Sequence, residues 1–423
     1  MGRSPDKRMN ALARVLARAL DAENEAEADL PGSGDGGSIL EDPDAMDAVL
    51  KAVLSRTSKV AEERAAAPAQ LAELLAMPNP ERETAVTLQT RFQTYSLAAY
   101  TLERCEKVVF HDPLMAGSMA RLARAVTQLA DPRSCGGSAA LADLEAYAMA
   151  MEGNAARVAG DLPTAFNKFL DSRHAQDRGG ADPDLSARID ILESSLRRDL
   201  RQFPIAFHLL DRAERGFVAL NDRNMQALAI INRANVFLVM RELAQVIENL
   251  RQALPLAQDP WLALMVRHNL ILALAECGEA GEAASLFESS EQLYLQFNDP
   301  LTVSKRIWAK GLIARELDAD LSTAEQLLGE AMAKLAEHGY SYDAALAGLD
   351  LAAAYARLGK SAEVFRVASD LVHLFQSRNV HPEALAALKM VQQAAEREAV
   401  NLAIISKAAD KVRVNQVRGN PAS

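Results

Sequence analysis

Aromatic residues are scarce: they make up 5% of the 423 residues, although 49% are hydrophobic. The apolar mass is Ala and Leu instead, strong helix formers that pack closely without β-branching. Sheet proteins are richer in Val, Ile, Thr and aromatics, so the fold class expected is all-α. Cysteine is nearly missing. Cys105, Cys135 and Cys277 are odd in number and far apart, which excludes a disulfide framework and any paired metal spacing. A reducing cytoplasm is the compartment this usage fits. Positive charge is in deficit: 46 Lys and Arg against 57 Asp and Glu give a net charge of −11. Such a chain has no general attraction for nucleic-acid phosphate, so direct nucleic-acid binding is not expected.

Long hydrophobic runs are also absent. "LAIINRANVFLVM" is broken by polar residues well short of the ~18 apolar positions a spanning helix needs. Near the N-terminus, Arg14 and Arg18 interrupt any signal-like core. No membrane span is expected, and the localisation expected is cytoplasmic.

The usual chemical signatures are missing too. The seven histidines are His111, His174, His208, His268, His338, His373 and His381. None forms H-E-x-x-H or pairs with Cys at ligand spacing. No G-x-S-x-G and no Walker-A sequence occurs. "GSGDGG" matches G-x-G-x-x-G by letter, but acidic, polar sequence precedes it where the motif needs a strand. Acidic residues lie beside Arg and Lys, as in "ERETAV" and "LESSLRRD", which reads as solvated helix faces. Cys277, just before Gly278, reads as a small core residue. The expectation is no catalytic residue, no cofactor, no metal and no enzyme.

What is present is helical order. Residues 1–44 read as a flexible arm and linker, with a short basic amphipathic helix over 8–20 and a Gly/Ser/Asp-rich stretch from Pro31 to Asp44. Residues 45–138 read as a helical N-terminal region. It has one helix to Ala76 and one long helix through "ETAVTLQTRFQTYSLAAYTLERCEKVVF", stopped at "HDP". "LMAGSMARLARAVTQLA" is that helix's partner, and "DPRSCGGS" breaks the chain after it.

From residue 139 to 380 a pattern repeats. Ala352, Tyr355, Gly359 and Val364 in "DLAAAYARLGKSAEVF" set a template. Gly153, Gly160, Ala165 and Phe169 follow it, as do Ser194, Ala206, Leu210 and Ala213. So do Ala234, Phe237, Val246, Leu250 and Ala253, and then Ile271, Leu274, Gly278, Ala283 and Phe287. Gly311, Ala314, Ala324, Leu328 and Ala331 make another copy, with one extra turn residue at "LDADLS". The anchors Ala165, Ala206, Val246, Ala283, Ala324 and Val364 are separated by 41, 40, 37, 41 and 40 residues. Small residues let two helices cross closely, and Gly160, Gly278 and Gly359 suit a left-handed turn. One hairpin cannot bury its own stripe, so about six must stack. Residues 381–414 read as capping helices, starting at His381-Pro382, and 415–423 as a disordered tail. Residues 411–423 are also candidates to fill the protein's own groove. Trp261 and Trp308 read as core or inter-repeat packing.

This pattern resembles the tetratricopeptide repeat (TPR) family, best in "VRHNLILALAECGEAGEAASLF" and "LAAAYARLGKSAEV". Ser194 and Ile271 stand where the family has Gly or Ala, and the period exceeds the usual ~34. Longer units look like those of bacterial TPR proteins related to the superhelical domains of signalling regulators. The resemblance implies a right-handed α-solenoid whose first helices line a concave face. By repeat alignment it places Asn154, Arg157, Arg188, Arg198, Asn235, His268, Lys305, Arg315 and Arg357 there. Arg grips carboxylates in bidentate fashion, so a protein or peptide partner, acidic in character, is expected. The alternative is that these cations pair with neighbours such as Asp199 and Asp350. The function implied is a protein–protein interaction scaffold. A signalling or transcription-regulatory sensor with a TPR input domain is the second reading. The oligomeric state is not set by the sequence.

Overall fold

The computed structural model describes residues 43–419 apart from 110–111, 318–320, 378–381 and 398. The arm helix over 8–20, "GSGDGG", His111, His381 and most of the extra turn at "LDADLS" therefore lie outside the described residues. Among those described there are eighteen α-helices, two short 3₁₀ turns and no strand. No helix among them is long and apolar enough to cross a membrane.

The chain forms two compact units. The first comprises 1–156 and 163–189, and the second 157–162 and 190–423. In the first unit α1 (Pro43–Ala76) packs on α3 (Tyr95–Val108), which packs on α4 (Pro113–Leu129). The single long helix expected after residue 82 is instead broken into α2 (Asn79–Leu88), a 3₁₀ turn (Thr90–Phe92) and α3. Side chains cause the break. Gln93 Nε2 donates to the Val86 and Thr87 carbonyls at the end of α2. Thr94 Oγ1 accepts from Leu97 N at the start of α3. The turn between them buries Phe92 completely.

Next come α5 (Gly137–Val158), α6 (Leu162–Gln176) and α7 (Pro183–Asp199). α5 and α7 begin in the first unit and end in the second. A Cβ on Gly153 would stand 3.1 Å from the Phe169 ring, so the small residue marks where α5 and α6 cross.

The second unit continues with α8 (Phe203–Ala219), α9 (Arg223–Met240), α10 (Leu243–Ala253), α11 (Pro260–Glu276) and α12 (Ala280–Tyr294). After these come α13 (Pro300–Leu317), α14 (Leu321–Glu337), α15 (Ser341–Arg357), α16 (Ser361–Ser377), α17 (Pro382–Glu396) and α18 (Leu402–Gly419). Consecutive helices pair into hairpins, and each hairpin packs on the next, as a TPR-like α-solenoid does. Each of the six anchors is the fourth residue of its hairpin's second helix, and all six are buried. Eleven residues beyond four of them lie Phe217, Tyr294, Leu335 and Phe375, also buried. Full burial of each such side chain contributes about 1.5–3 kcal/mol.

The turns keep the same period. Gly160, Arg201, Arg241, Gly278 and Gly359 all have positive φ, and each stands two residues before a second helix. Glycine tolerates this conformation, whereas Arg201 and Arg241 adopt it at a cost. First helices share a start signal that lies outside the repeat spacing. Asp182, Asp222, Asp259 and Asp299 each accept a backbone N–H in the opening turn. In three of the four, Pro follows directly: Pro183, Pro260 and Pro300.

One expectation needs correcting. Residues 415–419 were expected in a disordered tail, yet α18 runs to Gly419, and Asn415 is buried with Nδ2 donating to the Lys411 carbonyl. Trp308 is core, but Trp261 is 43% exposed. Trp261 sits in the first turn of α11 and lines a small cleft with Tyr294 of α12 and Leu301 of α13, so it is an inter-repeat residue and not a core one.

Candidate functional site

The first helices α9, α11, α13 and α15 line a cavity of about 480 Å³ in the second unit. Asn235 on α9, His268 on α11, Lys305 and Arg315 on α13, and Arg357 on α15 all reach it. Five of the nine aligned positions thus come together.

The other four lie elsewhere. Asn154 is buried in α5, and Arg188 of the first unit pairs with Asp184 at 3.2 Å and Glu106 at 3.5 Å. Glu106 also takes a short hydrogen bond from the buried Tyr147 hydroxyl. Arg157 and Arg198, both in the second unit, converge on one carboxylate. Arg157 Nη1 donates to Asp199 Oδ2 at 3.0 Å and Arg198 Nη2 to Asp199 Oδ1 at 2.8 Å. All three side chains are buried. This is the neighbour pairing weighed above. Reversing Arg157 or Arg198 would test the fold, because it leaves a buried charge uncompensated.

Pairing also holds inside the cavity. Arg315 Nη1 donates to Asp350 Oδ1 at 2.9 Å, and its Nε donates to Glu316 Oε1 at 2.7 Å. Arg357 grips both oxygens of Glu316, at 3.0 and 3.1 Å. Lys305 Nζ stands 3.9 Å from Asp343. Burial presses the Lys305 ammonium below its ordinary range, and Asp343 and Asp299 oppose that. The cations aligned along the cavity therefore already face acids. Sequence alignment placed the Arg and Lys positions but could not show Glu316 and Asp343 opposite them.

His268 is the unusual wall residue. Its Nδ1 lies 2.9 Å from the Tyr294 hydroxyl, and its ring is edge-on to Trp308 at 6.0 Å between centroids. Its Nε2 is buried without a hydrogen-bond partner. Burial first, and then Lys305, hold the imidazole well below its usual pKa, so it is neutral at pH 7. Trp308 Nε1 donates to Asp350 Oδ2 at 2.9 Å.

Cys277 was expected in the core but is exposed at the C-terminal end of α11, on the cavity rim. It stands past the last helical turn, beside the left-handed Gly278. Desolvation, Glu276 and Glu279 raise its thiol pKa, which disfavours the thiolate a nucleophile needs. Among the described residues no group of three or more His, Cys, Asp or Glu could hold a metal ion.

No model of a known protein family matches the sequence, and no curated protein matches it. Solved structures do. A Rap protein complexed with Competence and Sporulation Factor is similar over 76% of this chain and 87% of its own, at 13% identity and a TM-score of 0.53. Aspartyl phosphate phosphatase F from Bacillus subtilis is similar over 72% of this chain and 82% of its own, at 13% identity and a TM-score of 0.45. The first of these likenesses shows the fold, a TPR-like helical repeat.

Proposed function

We propose that this chain is a non-enzymatic interaction scaffold that holds a segment of a partner protein in the cavity of the second unit. The observation that carries the reading is the cavity's construction. Four consecutive hairpins supply their first helices to its lining, and α10 adds Leu243, Val246 and Leu250. A segment laid along them meets side chains at repeat intervals, so specificity is spread over several repeats. Asn235 and Asn269 offer amide groups, and Leu272, Leu346 and Trp308 offer apolar surface. An acidic segment would enter by competing with Glu316 for Arg357, the most accessible of the aligned cations there at 38% exposure. The protein acts in a reducing, cytoplasmic setting and needs neither nucleic acid nor membrane.

The test is photo-crosslinking in the source cells with a benzophenone residue at Asn269 or Ala353, both in the cavity lining. Position Glu248, exposed on α10, is the control. The expected result is one discrete partner peptide linked from the two cavity positions and not from the control. Equal labelling from all three positions would remove the cavity as the site.

A second reading, a signalling or transcription-regulatory sensor, draws support from the similar Rap protein, which was solved with Competence and Sporulation Factor bound. In that reading the same cavity takes the input and residues 45–138 act on a second partner. Hydrogen exchange separates the two. An occupant that changes protection within 45–138 favours the sensor, and one that leaves it unchanged favours the scaffold.

A further inference from the structure

The cavity has one lining helix that does not belong to the hairpin row. α18 contributes Leu402, Ile405, Ser406, Ala409 and Arg413 to it. This helix packs on α15 and α17 and reaches back to α9. Two ion pairs fasten it to helices far earlier in the chain. Asp410 Oδ2 lies 2.7 Å from Arg241 at the end of α9, and Arg413 Nη1 lies 2.7 Å from Glu276 at the end of α11.

Several features make this contact releasable. The Arg241 side chain is 58% exposed, so water competes for its end of the pair. Desolvation lifts the Asp410 carboxyl above its ordinary pKa even with two arginines near it, so the contact forms at a cost. The buried apolar residues of α18 are Ile405, Ala408, Ala409 and Val412, with no counterpart to Leu335 or Phe375 of the hairpins. Residues 399–401 ahead of it are non-helical, and Asn401 Oδ1 accepts from Ile404 N to restart the helix. The face turned to the cavity is ordered for groove binding: Leu402, Ile405 and Ala409 stand at i, i+3 and i+7, and all three line it.

We propose that α18 is the resident ligand of this cavity and displays the chemistry of the partner segment. That segment is an amphipathic helix with small and branched apolar residues on one face and an Asp followed three residues later by an Arg. It binds by taking Arg241 and Glu276 from α18. This proposal rests on reading the cavity as the partner site.

The test uses the full chain. Asp410→Asn with Arg413→Gln weakens the hold of α18 and leaves Arg241 and Glu276 in place. The probe is a fluorescent peptide with the sequence of residues 402–419. In this variant, backbone amides over 402–419 should exchange about tenfold faster while those of α11 and α12 do not change. The peptide should bind about tenfold tighter than to the wild type. Adding Arg241→Asp and Glu276→Arg should abolish that binding, and a peptide with Asp410→Arg and Arg413→Glu should restore it. A loosened α18 with no peptide binding, or binding indifferent to the charge swap, overturns the proposal. So does a variant that loses its fold along with α18, because α18 is then an integral part of the core. If the peptide fails while cross-linking at Asn269 still captures a partner segment, this inference falls alone. If both fail, the cavity reading falls with it.

Discussion

Single residues carry costs in this fold that the packing around them sustains. Arg201 holds a left-handed turn with φ 58°, a conformation that glycine takes at the equivalent Gly160, Gly278 and Gly359. Its side chain is exposed. Arg201→Gly should therefore raise stability, by about 1 kcal/mol, read as an upward shift of the urea midpoint. A lowered midpoint would mean that the larger freedom of glycine in the unfolded chain outweighs the relief. His268 makes a pH-dependent contribution of known sign. Its folded pKa lies well below its ordinary 6.5, so the unfolded chain binds the proton more readily. The contribution is complete above about 6.5 and is lost as pH falls below that value. His268→Gln should make the fall in urea midpoint between pH 7 and pH 5 shallower than in the wild type. An unchanged slope would show that other groups set the acid limb.

At the scale of elements, close helix crossings set the tolerance of the repeat. A Cβ on Gly311 would lie 2.9 Å from Leu328 and 3.1 Å from Leu327, all within the hairpin α13/α14. Gly311→Ala should cost about 1–3 kcal/mol through overpacking, despite the better helix propensity of Ala. A neutral result in thermal unfolding would show that α13 and α14 can separate without loss. How far such features were legible in the sequence depends on what produces them. The anchors were legible because burial at a crossing demands a small or apolar residue at a fixed spacing, and Ala165 through Val364 meet that demand. Arg201 and Arg241 were not legible as turn residues, since nothing in an arginine announces a positive φ. The break between α2 and α3 rests on Gln93 and Thr94, polar side chains that also fit a solvated helix face. The Asp caps were legible in principle: Asp-Pro at 182, 259 and 299 marks helix starts at nearly the repeat period. In the site, the aligned cations were found by register, but Arg315, Arg357 and Lys305 each face an acid from another repeat. Asp350 was in view as a pairing neighbour, but Arg357 meets Glu316 across 41 residues, a distance that pattern reading along the chain does not bridge.

At the scale of the whole molecule, repeat architecture predicts that damage spreads by neighbours. In the second unit one buried cluster runs from Ala227 to Ala309 and another from Trp308 to Val412. They abut on α13, where Ala309 faces one and Trp308 the other. Trp308 also packs edge-on with His268 of α11 and donates to Asp350 of α15, so it ties the two clusters together. Phe375, on α16, belongs to the later cluster alone. Trp308→Ala and Phe375→Ala both delete a buried aromatic, at about 3–5 kcal/mol each, but their reach should differ. With nearest-neighbour coupling, loss of Trp308 should lower amide protection on both sides, in α11 and in α15. Loss of Phe375 should lower it in α15 to α18 and spare α9 to α12. Hydrogen exchange under native conditions reads both patterns in one experiment each. Uniform loss across the unit for both variants would mean that it opens as a single cooperative block. The releasable α18 proposed above would then be hard to sustain, since one helix could not leave without the rest. A graded response would mean that the late hairpins can loosen while the early ones keep their half of the cavity formed, the condition a helix-exchanging groove requires.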